Sequence, residues 1–181
     1  MLQIQVGATE FYDEFTETFI QTKPTTLNLE HSLLSISKWE SHWHKPFLTN
    51  NSGVKRTNEE IIDYIKCMTL NKNVPDEVYK ALTRSDFDKV TAYIEDSMTA
   101  TTIHSANKSI TKEVITSEII YYWMITYSIP FTCEKWHINR LITLIQVCSA
   151  KSNPKKMPKK DVYRQYHELN KARRKALGTK G

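Results

Sequence analysis

The 181-residue chain is 40% hydrophobic and 25% charged, with a net charge of +5. That balance suits one folded domain, or one core with an appendage, and excludes a disordered chain. It holds only four glycines, which argues against the phosphate-cradling loops of nucleotide-binding enzymes and against a turn-rich β-sandwich.

Along the chain, Leu2, Ile4 and Val6 alternate with polar residues, and so do Leu27, Leu29 and His31 after the turn signal Lys23-Pro24-Thr25. Both runs predict strands, and Ser35-Ile36-Ser37 reads as a continuation of the second. Residues 1–40 are therefore expected to be β-rich. Ala8 to Thr22 fits a strand or a short helix equally, because Phe11, Tyr12, Phe15 and Phe19 satisfy helical spacing too. Trp39 to Phe47 reads as an aromatic, irregular segment, and Asn50-Asn51-Ser52-Gly53 as a loop.

From residue 57 to residue 149 the pattern is helical. Thr57-Asn58-Glu59-Glu60 has the form of a capping box, followed by Ile61, Ile65 and Met68 on one face. Pro75 is placed for a first helical turn ahead of Val78, Tyr79 and Leu82. Ser85 is the expected cap of a helix carrying Phe87, Val90 and Ile94, and Thr99 to Ser109 is expected to be a polar loop. Thr111–Ser128 is apolar on nearly all sides and predicts a central helix ending at Pro130. The helix Thr132–Ser149 should pack against it as an antiparallel hairpin, with Thr132 as its cap and Trp136, Ile138, Leu141, Ile142 and Ile145 inward. These two are expected to be the most buried elements, with Trp123 fully packed.

Residues 151–181 differ in composition. They hold eleven Lys or Arg against Asp161 and Glu168, a net +9, so residues 1–150 carry −4. Ser152 to Pro158 reads as a linker. A last helix over Lys159–Leu177 presents a thin apolar stripe of Val162, Tyr166, Leu169 and Ala176, and Gly178 is placed to end it. The residues expected to meet a partner are Lys155, Lys156, Lys159, Lys160, Arg164, Tyr166, Leu169, Lys171, Arg173, Arg174 and Lys175. The fold class that follows is mainly α, with a small N-terminal β-rich segment and a basic C-terminal helix.

No catalytic constellation emerges. The pair Cys133 and His137 lies one helical turn apart, but no orienting carboxylate accompanies it. Adding His42 and His44 would make a four-ligand set, yet no Cys-x-x-Cys spacing supports zinc, and core or interface packing is the better reading. Asp86, Asp88, Glu113 and Glu118 read as solvated helix-surface carboxylates. Cys67, Cys133 and Cys148, odd in number and widely spaced, suit reduced, core-packed thiols in a cytoplasm. Met1 to Val6 lacks signal-peptide character, and the apolar run Ile119 to Phe131 is too short for a membrane span. No cofactor, metal or membrane is expected. The basic segment can serve a protein partner or nucleic acid, although no helix-turn-helix, zinc-finger or RNA-recognition signature accompanies it.

Four segments taken together carry a family likeness. They are Ser35-Ile36-Ser37-Lys38-Trp39-Glu40-Ser41; Glu118-Ile119-Ile120-Tyr121-Tyr122-Trp123-Met124; Ile129-Pro130-Phe131 with Lys135-Trp136-His137; and Ala172-Arg173-Arg174-Lys175-Ala176-Leu177-Gly178-Thr179. As a set the chain resembles a family of tailed-bacteriophage proteins, the tail assembly chaperones that act with the tape-measure protein. The resemblance implies a non-enzymatic assembly factor in the cytoplasm of an infected bacterium, keeping a long helical client soluble while the tail polymerises. It carries over no catalytic or binding residue. The alternatives are a nucleic-acid-binding accessory protein and a structural virion component of connector or baseplate type.

Overall fold

The computed structural model describes residues 1–13, 17–48, 56–101, 114–152 and 159–178, with the side chains of residues 11, 13, 159–162 and 165 outside the description. The expected loops at Asn50–Gly53 and beyond residue 101, the start of the helix predicted from Thr111, and the linker from Asn153 to Pro158 lie outside the described residues. The chain forms two units, residues 1–147 and 148–181.

The first unit opens with two antiparallel strand pairs. Strand β1 (Leu2–Val6) pairs with β4 (Thr25–Leu29) in the register Leu2 to Leu29, Ile4 to Leu27 and Val6 to Thr25. Alternation puts Ile4, Val6, Leu27 and Leu29 into the core. Strands β2 (Glu10–Asp13) and β3 (Thr18–Gln21) form a separate antiparallel pair, so these two stretches of the ambiguous N-terminal segment are strand. Tyr12 and Phe19 face each other across it at 5.1 Å and are exposed.

Helix α1 (Leu33–Trp43) replaces the strand expected at Ser35–Ser37 and most of the irregular segment after it. The cause is local. The Ser32 hydroxyl accepts the Ser35 amide, and the Ser35 side chain takes the Ser32 amide, a reciprocal cap that starts a helix. Leu33, Ile36, Trp39 and Glu40 then share the buried side. His44, with φ 52°, ends the helix in the left-handed region.

Helix α2 (Asn58–Met68) begins with the predicted Thr57–Glu60 box, and α3 (Asp76–Lys80) follows Pro75. Helix α4 (Arg84–Glu95) is capped by Thr83 and not by Ser85. Asp86 stands three residues after Thr83 and closes that box through its carboxylate, so it is buried structure and not a solvated surface charge. Helix α5 (Ser117–Thr126) is followed by a 3₁₀ turn (Phe131–Lys135) and α6 (Ile138–Ser152). Thr132 therefore lies inside the 3₁₀ turn and caps no α-helix. Helix α6 runs through Ala150–Lys151, where the composition changes.

The connector between β4 and α1 is held on two sides. The Glu30 amide donates to the Met68 carbonyl at 2.9 Å, and the Ile138 amide donates to the His31 carbonyl at 2.8 Å. The fully buried side chains include Leu27, Leu29, Leu33, Ile36, Trp39, Met68, Ile120, Met124, Ile138 and Leu141. The core thus centres on α1, which packs on α2 and α5. This corrects the expectation that α5 and α6 are the most buried elements. Helix α5 buries only Ser117, Ile120 and Met124, Trp123 is half-buried, and α5 has its main packing on α1 and not in a hairpin with α6.

In the second unit, α7 (Lys159–Leu177) ends at Gly178, whose φ of 63° is the left-handed conformation that glycine adopts without a Cβ clash. Among the described residues, no helix is long and apolar enough to cross a membrane.

Candidate functional site

Helix α7 carries most of the residues expected to meet a partner. Arg164, Tyr166, Leu169, Lys171, Arg173, Arg174 and Lys175 are all exposed on it. Lys159 and Lys160 begin the helix by their backbone, while Lys155 and Lys156 lie outside the described residues. At 3.6 residues per turn, Tyr166, Leu169, Arg173 and Leu177 follow one another at i, i+3, i+7 and i+11 and form a single stripe. Arg164, Lys171 and Lys175 repeat on the opposite side and make a basic ridge. The helix therefore has two chemically different faces, one apolar with an arginine set into it and one cationic.

Two contributors escape a stripe drawn from composition. Tyr163 is 75% exposed, with its ring 6.5 Å from that of His167, and Leu177 is equally exposed at the helix end. Tyr163 stands one step off the main stripe, and Leu177 adjoins the terminator. Continuing the i, i+3, i+7, i+11 series from Tyr166 to the last residue of the helix would have found Leu177.

The weighed metal set is not brought together. His42 and His44 are exposed at the end of α1, the first with its ring 5.3 Å from that of Trp43, whereas Cys133 and His137 are buried. Nε2–H of His137 donates to the Tyr93 carbonyl at 3.0 Å, and Nδ1 accepts the Asn139 amide at 3.3 Å. One ring nitrogen donates and the other accepts, so the imidazole is neutral and both nitrogens are occupied. Among the described residues, no group of three or more His, Cys, Asp or Glu side chains is arranged to hold a metal ion. The core-packed reading holds for Cys133, while Cys67 and Cys148 are half-buried. Burial and the nearby Asp63 push the Cys67 thiol up to about 11, which keeps it protonated and unreactive at neutral pH.

No family model, curated protein or solved structure matches the chain.

Three of the four segments that carry the family likeness contribute side chains to the interior of the first unit. Ser35, Ile36, Trp39 and Glu40, then Ile120 and Met124, then Ile129 and His137 are all buried. Only the fourth, Ala172 to Gly178, is exposed along its whole described length.

The interior also holds a polar cluster outside any sequence-level expectation. His31 Nδ1 is hydrogen-bonded to the Tyr64 hydroxyl, and its ring stands edge-on to that of His137 at 5.0 Å. Tyr93 stacks edge-on against His137 at 5.0 Å and donates its hydroxyl to Glu30 at 2.7 Å. Glu30 in turn pairs with the N-terminal amine at 3.0 Å. Burial, followed by the neighbouring His137 and Arg56, pushes His31 down to about 3. Burial also lowers His137.

The sign of the resulting pH dependence follows from proton counts. An unfolded histidine protonates near pH 6.5, whereas folded His31 stays neutral to about 3. Between those values the unfolded state binds the extra proton, so stability is complete above about pH 6.5 and falls as the pH drops. The slope from His31 alone approaches about 1.4 kcal/mol per pH unit, or roughly 2 kcal/mol between pH 6.5 and 5. Urea midpoints measured across that range should fall with acidification, and His31→Gln should flatten the slope while lowering the baseline. Equal slopes in the two proteins would contradict a neutral, buried His31.

Proposed function

We propose that the chain is a non-enzymatic bacteriophage tail assembly protein of the chaperone type, working in the infected cell's cytoplasm and holding a helical tape-measure client through α7. The observation that carries the reading is the exposure of Tyr166 and Leu169 on one stripe of a strongly basic helix in a unit of its own. A stripe with i, i+3 and i+7 anchors is the pattern by which one amphipathic helix grips another. Arginine set into such a stripe supplies a planar charge that pairs carboxylates on a partner helix. The family likeness supplies the identity of the client.

The test is binding of a purified tape-measure fragment to the full chain and to a chain truncated after Ala150. Truncation should abolish binding. Tyr166→Ala and Leu169→Ala should each weaken it by about tenfold, or about 1.4 kcal/mol. Undiminished binding by the truncated chain would refute the role of α7.

The basic ridge of Arg164, Lys171 and Lys175 favours nucleic acid as the second reading. In that case affinity would fall steeply with salt, by a log–log slope of about −0.9 per phosphate neutralised in duplex DNA, and the tyrosine and leucine changes would matter little.

A further inference from the structure

Helix α5 has an outer face that its own packing does not use. Ser117, Ile120 and Met124 turn inward, and the opposite side carries Glu118, Tyr122 and Ile125 at i, i+4 and i+7. Tyr122 is 64% exposed, Ile125 63%, and Phe131 on the following 3₁₀ turn 54%. Tyr121 links helix and turn: its ring lies 6.2 Å from that of Phe131, and its hydroxyl donates to Glu134 at 3.0 Å. The face is therefore apolar and aromatic, with the carboxylates of Glu118 and Glu134 beside it. Lys135 is the cation of that turn, and Arg140 on α6 is engaged over the Trp136 ring at 4.2 Å. Exposed apolar side chains grouped on one helix face and the turn after it mark a candidate interaction surface.

We infer that the outer face of α5 is a self-association site that takes the α7 helix of a second copy. The argument is complementarity of charge and pattern. Residues 1–150 carry −4 and residues 151–181 carry +9, so the two parts of different copies attract. Tyr166 and Leu169 on α7 share the i, i+3 spacing of Tyr122 and Ile125 on α5, and Leu177 and Phe131 add an exposed apolar side chain to each surface. Arg173, set within the α7 stripe, is complemented by the two carboxylates at the edge of the α5 face. Each copy thus offers one donor helix and one acceptor face, which makes the contact heterologous: two different surfaces meet, and every copy can both give and receive. The same α7 stripe is offered to the client in the proposed function, so client and second copy compete for it. The α5 face itself has no part in that proposal.

The experiment is the solution mass of the purified full chain, without client, measured by light scattering across a wide concentration range. The wild type should self-associate as concentration rises. Ile125→Glu, which spoils the face, and Leu169→Glu, which spoils the helix, should each be monomeric. An equimolar mixture of the two should recover a one-to-one heterodimer, because each variant retains the half that the other lacks. Both positions are exposed, so circular dichroism should match the wild type. Should either variant misfold, Tyr122→Ser and Tyr166→Ser carry the same comparison. A wild type that is monomeric throughout, self-association that survives either single change, or a mixture that stays monomeric each overturns the inference. Because no client is present, any of these results leaves the client reading of α7 to be judged by its own assay.

Discussion

Trp39→Ala is expected to remove about 3–5 kcal/mol of unfolding free energy, several times the effect of Trp123→Ala, at about 1 kcal/mol. Trp39 is 1% exposed. Its indole N–H donates to the Glu60 carbonyl at 2.9 Å, tying α1 to α2. Its ring meets Phe47 edge-on at 5.2 Å and Tyr64 at 6.5 Å, with the Arg56 guanidinium 5.6 Å from its centroid. Removing it would empty a large volume among groups already fixed by hydrogen bonds, a site with little freedom to collapse. Trp123 is half-buried on a helix with one inward face, and water can fill most of what its removal opens. Urea unfolding of the two variants decides the matter. A larger loss at Trp123 than at Trp39 would move the core back to α5.

That contrast shows which features were legible in the sequence. The Thr57–Glu60 cap, the β1 and β4 alternation and the limits of α7 are each written within a few neighbouring residues, and the structure forms them as read. Helix α1 was hidden because Ser35-Ile36-Ser37 is too short to separate a period of 2 from one of 3.6. Its informative signal was Ser32 with Ser35, followed by Ile36 and Trp39. At α4, Thr83 with Asp86 and Ser85 with Asp88 offer the same capping spacing, and the structure uses the first pair. Helix α5 is apolar on all sides, so its sequence holds no record of which side packs. The candidate site was legible for the opposite reason. Segregation of charge and apolar residues on α7 is a property of one helix and needs no tertiary partner to define it. The His31–His137 cluster joins residues more than a hundred positions apart, and no local pattern encodes it.

Glu40→Ala is expected to cost about 3–5 kcal/mol as well, by a different mechanism. The Glu40 carboxylate is buried and accepts two backbone amides, Phe47 at 2.7 Å through Oε1 and Ser117 at 2.7 Å through Oε2. Ser117 is the first residue of α5, and Thr116 before it makes no side-chain cap hydrogen bond. The carboxylate that takes the first amide of this helix therefore comes from α1, 77 residues earlier, and joins Glu118 in the first turn of α5. Alanine at position 40 would leave two buried amides without an acceptor and remove a negative charge from the positive end of the α5 dipole. Each unsatisfied donor costs about 1–3 kcal/mol. Glu40→Gln keeps one acceptor oxygen and gives up the charge, so its loss should fall at about half the alanine value. Amide hydrogen exchange provides a readout that a general loss of packing would not reproduce. In Glu40→Ala the Phe47 and Ser117 amides should exchange faster than the amides in the middle of α1, which keep their own helical acceptors. Protection lost evenly over α1 and α5 would mean that Glu40 contributes only bulk, and a loss below about 1 kcal/mol would mean that the two amides find other acceptors.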